Sequence, residues 1–487
     1  MSQGRYDIII VGAGVAGSAL AYALSTAARS RASSTRIALL ERSLSEPDRI
    51  VGELLQPAGV AALQKLGMEA CLEGIDAIPV HGYCVVQSGR LVHIPYPEGR
   101  QGRSFHHGRF IMALREHAKR GPGVDVIEAT VNGLIECEHT QRTIGVRATR
   151  SMPSGEKGEK ELFFADLVIV ADGCFSNFRN VVMGTSARES STRSYFAGAV
   201  LKDVQLPIPQ HGTVALVKGQ GPVLLYQISQ HDTRMLVDIK HPLPSDIKAS
   251  YARHILSKVV PQLPPSLHVA IHEALEHDRL RRMPNSFLPS VPQGGTNTKE
   301  GVILLGDAWN MRHPLTGGGM TVALNDVILL SQLLAKGDSL SNWDQTSDIL
   351  SRWYWSRKPL ASTINILSVA LYDLFGADDE CLAVLQNGCF KYFECGGDCV
   401  REPVSLLSGI APSPWLLFYH FFYVAFYSIW VMFLHPRPVN LPVNGDKIVL
   451  ERPPIWEYPF LTVKSFRVFW TACVVFGPLL WSEIRWW

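Results

Sequence analysis

Three carboxylates in this chain stand where a hydroxyl-rich, anionic ligand would need them. Asp307 comes after the apolar run Val302 to Leu305 with Gly306 as the turn, and Gly317-Gly318-Gly319-Met320 lies a little further on. Glycines at a helix start let backbone approach a ligand, and free amide N–H groups with the helix dipole favour negative charge there. A flavin ring carrying charge on its N1/O2 edge suits that place, and Asp307 suits the ribityl hydroxyls. A Gly-rich strand–turn–helix with no ligand is the plain alternative. Asp172 closes a second apolar strand, Leu167-Val-Ile-Val-Ala-Asp172-Gly173, and Glu41 ends a third, Ile37 to Leu40. Upstream of Glu41, the run Gly12-Ala13-Gly14-Val15-Ala16-Gly17 joins the apolar strand Tyr6 to Val11 to an Ala-rich helix. In that context the glycine spacing is a dinucleotide fingerprint. Gly12 makes the turn, Gly14 lets a pyrophosphate approach, Gly17 packs helix on strand, and Glu41 holds an adenosine ribose.

These groups are scattered, so the elements that position them must be gathered from separated pieces of chain. Ala58 to Leu66 reads as a helix entered through Gly52 to Pro57, with Gln56 as a polar residue between Leu55 and Pro57. Residues 76–104 alternate apolar and polar around Tyr83, as strands and hairpins do; a tyrosine in such a strand is most often core. Phe105 to Arg115 is an amphipathic helix that brings Arg115 towards a pyrophosphate. Val124 to Val131 is a further strand, with Val131 as an adenine-side backbone contact. Residues 150–160 form a charged hairpin tip, 195–240 alternate again as sheet, and 245–280 read as helices. Trp353, Trp355, Ile364, Leu367, Leu371 and Phe375 make an apolar helical stripe, either core or the wall of a pocket for a long hydrocarbon.

With 487 residues the chain exceeds one core, so two domains and an appendage are expected. Its net charge of +2 excludes a strongly basic nucleic-acid binder. Nine scattered cysteines, an odd count, indicate reduced thiols facing the cytosol; Cys381, Cys389, Cys395 and Cys399 cluster without a CxxC pair, so no metal is expected. The apolar run near the N-terminus is interrupted by the glycine fingerprint and reads as strand and helix, not as a signal peptide or anchor. Trp415 to Leu434 has no formal charge over a bilayer's length, and Phe466 to Trp481 is a shorter run broken by Arg467 and Gly477-Pro478. Aromatics across both, and Trp486-Trp487, favour a helical hairpin dipped into one leaflet; a spanning helix and a buried helix pair are the alternatives. Because the three nucleotide motifs all precede residue 415, the tail is expected to be dispensable for flavin loading.

The GxGxxG, Ala-Asp-Gly and Gly-Asp motifs together resemble the flavoprotein monooxygenase superfamily. Within it, nearly the whole chain resembles the squalene epoxidases of fungal type. The stretches that carry this are Glu46-Pro-Asp-Arg-Ile-Val-Gly-Glu-Leu-Leu-Gln-Pro57, Phe105-His-His-Gly-Arg-Phe-Ile-Met-Ala-Leu-Arg115, Met311-Arg-His-Pro-Leu-Thr-Gly-Gly-Gly-Met320 and Gly396-Gly-Asp-Cys399. The resemblance implies an α/β fold: a Rossmann-like three-layer FAD-binding domain, an antiparallel-sheet substrate domain and a C-terminal helical membrane-binding segment. The expected pieces are 1–75, 105–190 and 290–345 for FAD, 76–104 and 191–289 for substrate, and 346–487 for the helical region. It also implies FAD contacts at Arg42 and Arg49, places Gln56 beside the flavin ring, and ties Tyr83 to activity with Gln56 as its hydrogen-bond partner. The implied reaction is epoxidation of squalene to 2,3-oxidosqualene for ergosterol synthesis through a C4a-hydroperoxyflavin. Oxygen would be O2, electrons would come from NADPH–cytochrome P450 reductase, and the site would be the cytosolic face of the endoplasmic reticulum membrane or a lipid-droplet surface. A phenol or quinone hydroxylase, an isoprenoid double-bond reductase and a flavin-free prenyl escort are the competing readings.

Overall fold

Ile8, Ile9 and Ile10 are buried on β1 (Arg5–Val11), a strand with parallel partners on both edges. An uninterrupted apolar run is what a strand covered on both faces needs. The structure, a computed structural model, describes residues 5–27, 35–151, 157–240, 247–277, 280–337, 339–377, 379–439 and 449–483. The middle of the charged hairpin tip and Trp486-Trp487 lie outside these residues. β1 sits between β2 (Ile37–Glu41) and β10 (Lys157–Val170); β8 (Val124–Glu136) extends the sheet beyond β2, and β16 (Val302–Leu304) beyond β10. β9 (Thr143–Ser151) pairs antiparallel with both β8 and β10. The two long strands therefore change partner along their length: β10 leaves β9 at Phe164 and runs beside β1 to Val170. Against this sheet α1 (Val15–Ala27) packs with α3 (His107–Lys119) and α7 (Gly319–Lys336).

A second sheet has seven strands in the order β15-β11-β14-β13-β12-β5-β6. They are β5 (Gly82–Gln87), β6 (Arg90–Pro95), β11 (Ser191–Lys202), β12 (Gly212–Leu216), β13 (Val223–Gln227), β14 (Asp232–Lys240) and β15 (Arg281–Phe287). The sheet is antiparallel, as expected, except that β12 and β5 run parallel, with Gly212 opposite Tyr83. The β5–β6 hairpin arrives from a separate stretch of chain, and a parallel neighbour needs a long crossover, which here runs through the other sheet. Nor does all of 76–104 join this sheet: β7 (Gly102–Ser104) pairs instead with β4 (Ile78–Val80) on one edge and β3 (Leu54–Leu55) on the other. Alternation sorts the faces. Leu225, Met235 and Val237 pack under α5 (Ile247–His254) and α6 (His268–His277), while Val214, Leu224 and Leu236 point the other way, towards Tyr83.

Helices close the molecule: α2 (Pro57–Lys65), α4 (Arg179–Met183), α8 (Trp343–Gly376), α9 (Glu380–Glu394), α10 (Asp398–Leu407), α11 (Pro414–Leu434) and α12 (Tyr458–Glu483), with a small ladder of β17 (Arg437–Val439) and β18 (Val449–Glu451). Asn342 caps α8 by accepting from the Gln345 N–H, and Asp379 caps α9 by accepting from Cys381 and Leu382. Within the α8 stripe, Trp353 and Ile364 are fully buried, but Trp355 is 50% exposed, because residues two apart on a helix face opposite ways. The second membrane run is corrected in length: Gly477-Pro478 does not end it, and α12 is 26 residues long against 21 for α11. The buried-pair alternative fails for both helices. Trp415, Phe426, Phe466 and Trp470 point outward, while Leu417, Ala425, Val468 and Phe476 pack inward. His420 also turns inward, bonded to the Tyr392 hydroxyl and to Glu402 at 2.8 Å each. The end of α12 packs on α8: Glu483 is 1% exposed and bonded to Ser362 and Asn365.

Candidate active site

Both sheets face one cavity of about 960 Å³. Gly12, Gly14, Val15, Ala16 and Glu41 line it from the first strand–turn–helix, Arg42 and Arg49 from the following loop, and Arg115, Val131 and Asp172 from α3, β8 and the end of β10. Asp307, Gly317, Gly319 and Met320 line it from the loop after β16. Val214, Leu224, Leu236 and Met283 of the second sheet give it an apolar wall, beside Tyr83. Gly17, Gly318 and Gln56 do not line it. A Cβ on Gly17 would collide with the Gly12 carbonyl, and one on Gly318 with Ile364, so these two glycines serve backbone-to-helix approach. No residue of α8 reaches the cavity; Leu371, Tyr372 and Phe375 instead back the cluster that holds Tyr83.

The glycines that face the cavity do so for identifiable reasons. Gly12 has φ +106°, and a Cβ there would lie 2.5 Å from the Ala171 carbonyl. Gly14 and Gly319 have nothing within 4 Å of where a Cβ would be, which leaves both backbones open to a ligand. Glu41 accepts from the Ala13 N–H at 2.8 Å, so it holds the glycine loop as well as facing the cavity. Arg115 donates to the Ala13 carbonyl at 2.9 Å and to the Ser45 carbonyl at 3.1 Å, and lies 3.5 Å from Glu41. Its guanidinium therefore staples α3 to the nucleotide loop. Asp172 accepts from the Asn177 N–H with one oxygen, and its other oxygen, Oδ1, is buried without a partner. Burial raises the Asp172 pKa, and likewise that of Asp307, which Arg312, Arg49 and Arg179 pull back down. An orphaned carboxylate oxygen and two bare glycine backbones fit a ligand that brings hydroxyls and phosphates, as FAD does.

Tyr83 belongs to a buried hydrogen-bonded set. The Gln56 amide nitrogen donates both to the Tyr83 hydroxyl and to the Thr316 carbonyl, the latter at 2.7 Å. Tyr96 donates to Gln56 Oε1 at 2.7 Å and meets the Tyr83 ring edge-on at 5.6 Å. Gln56 stands behind Tyr83, with its amide nitrogen and oxygen both bonded to protein groups. Burial raises the pKa of both tyrosines, so each is a neutral phenol at neutral pH. Three further groups went unread in the sequence. Tyr96 was hidden in an alternating strand pattern. Arg179 clamps the loops by donating to the carbonyls of Ala308, Cys174 and Asp307. Glu53 and Arg234 form a buried two-point ion pair at 2.7 and 2.8 Å that ties the Gln56 loop to β14. Glu53 lies inside a stretch quoted above, but nothing local marks its partner.

Comparison with known proteins agrees with this geometry. The squalene epoxidase family model matches residues 164–444. The chain is 46% identical to a squalene epoxidase of Aspergillus fumigatus over 99% of its own length and 95% of that protein's. Among solved structures it resembles a p-nitrophenol 4-monooxygenase from Pseudomonas putida, with a TM-score of 0.64 and 16% identity over 84% of this chain and 99% of that one. It also resembles a myxobacterial chondrochloren halogenase, a variant of the FAD-dependent halogenases, with a TM-score of 0.60 and 17% identity over 85% and 99%. At such identities the two structures speak to the fold alone.

Proposed function

The chain belongs to the squalene epoxidase family, and from that premise we propose that it epoxidises squalene to 2,3-oxidosqualene for sterol synthesis, with FAD as cofactor and O2 as co-substrate. The observation that carries the reading is the single cavity whose floor is glycine backbone and carboxylates and whose far wall is apolar sheet. Bound FAD supplies the reductive activation of dioxygen. The chain's own residues bind, orient and keep water out. Asp172 and Asp307 accept from hydroxyls of the cofactor, Glu41 from its ribose, and Gly14 and Gly319 admit its phosphates and ring. Arg42 and Arg49 stand at the cavity rim as its charged contacts, and Arg115 fixes the loop beneath it. Gly12, Gly17, Gly317 and Gly318 hold the backbone shape, with Val15, Ala16, Val131 and Met320 as flanking contacts.

An alkene is itself the nucleophile in epoxidation, so no protein base is needed to activate it. What the reaction needs is position and dryness. Tyr83, at the apolar wall, is the residue we assign to orienting the reacting groups, with Gln56 and Tyr96 as positioning residues behind it. Electrons come from an NADPH-dependent reductase, NADPH–cytochrome P450 reductase. The exposed aromatic faces of α11 and α12 rest in lipid on the cytosolic side of the endoplasmic reticulum membrane, which supports delivery of an insoluble polyene. The purified chain with FAD, NADPH, the reductase and squalene should form 2,3-oxidosqualene. A yellow protein that instead hydroxylates phenols or saturates isoprenoid double bonds, or a colourless one that only carries them, would overturn the reading.

A further inference from the structure

The tail and the flavin loop meet through one buried side chain. Glu483 closes α12 and is 1% exposed. Its Oε1 accepts from Asn365 Nδ2 at 3.0 Å, and Asn365 Oδ1 accepts from Arg312 Nε at 2.8 Å. Arg312 lines the cavity and donates to the Gly319 carbonyl at 3.3 Å and to Asn310 Oδ1 at 2.7 Å. Its charge also acts on Asp307. Three side chains thus lead from the last described residue to both carriers of the proposed flavin contact, Gly319 and Asp307. A second set of bonds uses the carbonyl and the other carboxylate oxygen: Lys358 donates to the Glu483 carbonyl at 2.8 Å and to Oε2 at 3.4 Å, and Ser362 to the same two at 3.2 and 3.3 Å, which docks the helix end on α8.

We propose that Glu483 is a positioning residue for the flavin loop, acting through Asn365 on Arg312. Asn365 holds Arg312 in one orientation only if its own amide is fixed; Glu483 Oε1 accepts from that amide at 3.0 Å and Asn310 Oδ1 at 3.3 Å, so Glu483 supplies the shorter of the two bonds. Arg312 in turn ties down the Gly319 carbonyl and so fixes the bare Gly319 backbone at the cavity. Burying this carboxylate costs desolvation, which Lys358 at 3.4 Å from Oε2 offsets, while Oε1 is committed to Asn365. The membrane-side helix and the flavin loop are therefore one mechanical unit.

The inference rests on the flavin reading of the cavity, so the full-length wild-type protein is tested for FAD binding first; if it binds none, that reading fails before this one is reached. The full-length variants Glu483→Ala, Glu483→Gln, Asn365→Ala and Lys358→Met are then compared by FAD titration, visible circular dichroism of the bound flavin and flotation with phosphatidylcholine vesicles. Glu483→Ala and Asn365→Ala should each weaken FAD binding about tenfold and change the flavin's dichroism, with flotation unchanged. Glu483→Gln keeps an acceptor for Asn365 and should stay within about twofold of wild type, as should Lys358→Met. If Glu483→Ala does not fold, Asn365→Ala decides, because it leaves the docking bonds of Lys358 and Ser362 in place. Wild-type affinity and dichroism in Asn365→Ala would overturn the proposal. So would Lys358→Met matching Glu483→Ala, since docking alone would then account for the effect.

Discussion

Helices α8 and α11 are alike as strings of residues and opposite as parts of the molecule. Both are long and apolar enough to cross a bilayer, but the most apolar window of α8 is 72% buried inside the protein and that of α11 only 28%. Their polar residues show why. α8 carries Arg357, Asn365 and Ser362, each buried and paired with groups on other elements. α11 carries tyrosines and tryptophans, which expose an apolar body with a polar tip, and it turns its only histidine inward. A helix that buries charges must have protein around it to pair them, whereas one that shows aromatics outward has prepared for an interface. Length and mean hydropathy qualify both helices as spans and so do not tell the two designs apart.

The contrast can be broken most forcefully with acid. His313 stacks on Tyr372 of α8 at 4.2 Å, and burial holds its pKa down to about 3. Between the ordinary imidazole value and about 3 the unfolded chain binds a proton that the folded protein refuses. Stability is therefore whole above pH 6.5 and declines as pH falls towards 3, by about 1.4 kcal/mol per pH unit. His313→Gln should flatten that decline in chemical denaturation; an unchanged slope would mean the imidazole is not enclosed by α8. Next in size is Arg357→Leu, which leaves Asp326 unpaired after the loss of bonds of 2.7 and 2.8 Å. Destabilisation of about 3–5 kcal/mol is expected, and a loss below 1 kcal/mol would put α8 in the same class as α11.

Tyr83→Phe separates packing from polarity on the cluster that α8 backs. The ring remains, while the hydroxyl that meets Gln56 and Thr316 goes. A lost buried hydrogen bond costs about 1–3 kcal/mol, so turnover should fall roughly ten- to a hundredfold with flavin content and melting temperature nearly unchanged. Wild-type turnover would return Tyr83 to the ranks of core aromatics. The smallest effect is expected outside: Trp430→Ser, at a side chain 48% exposed on α11, should weaken vesicle binding by about 1 kcal/mol and leave the melting temperature alone. Destabilisation without a change in vesicle binding would mean that α11 is core after all.

The same distinction explains how far the sequence could be read. Gly12, Gly17, Asp172 and Asp307 were legible because their work is local: a turn, a close approach or a strand end is fixed by residues a few positions away. Tyr83 and Gln56 came together only through resemblance, since nothing in their spacing points to a bond between them. Glu53 with Arg234, and Arg312 with Asn365 and Glu483, stayed hidden because each pair joins distant chain segments, and a charged residue in an apolar run looks the same whether its partner exists or not. The parallel β5–β12 pairing was equally silent, because alternation marks the faces of a strand and says nothing of its neighbour's direction.

β1 precedes the other described strands, and its three isoleucines are buried between two partners. Its edge on β10 is filled by residues Phe164 to Val170, some 160 positions later in the chain. At a synthesis rate of about 5–20 residues per second, that edge waits roughly 10–30 s on the ribosome. For that interval Ile8, Ile9 and Ile10 form an apolar strand whose backbone donors and acceptors on one side have no native partner, the kind of segment that pairs with whatever strand it meets. The last strand of this sheet, β16, arrives later still. The enclosure that surrounds the glycine loop thus leaves the newborn chain with an unpaired apolar strand edge early in its synthesis, before α11 and α12 exist.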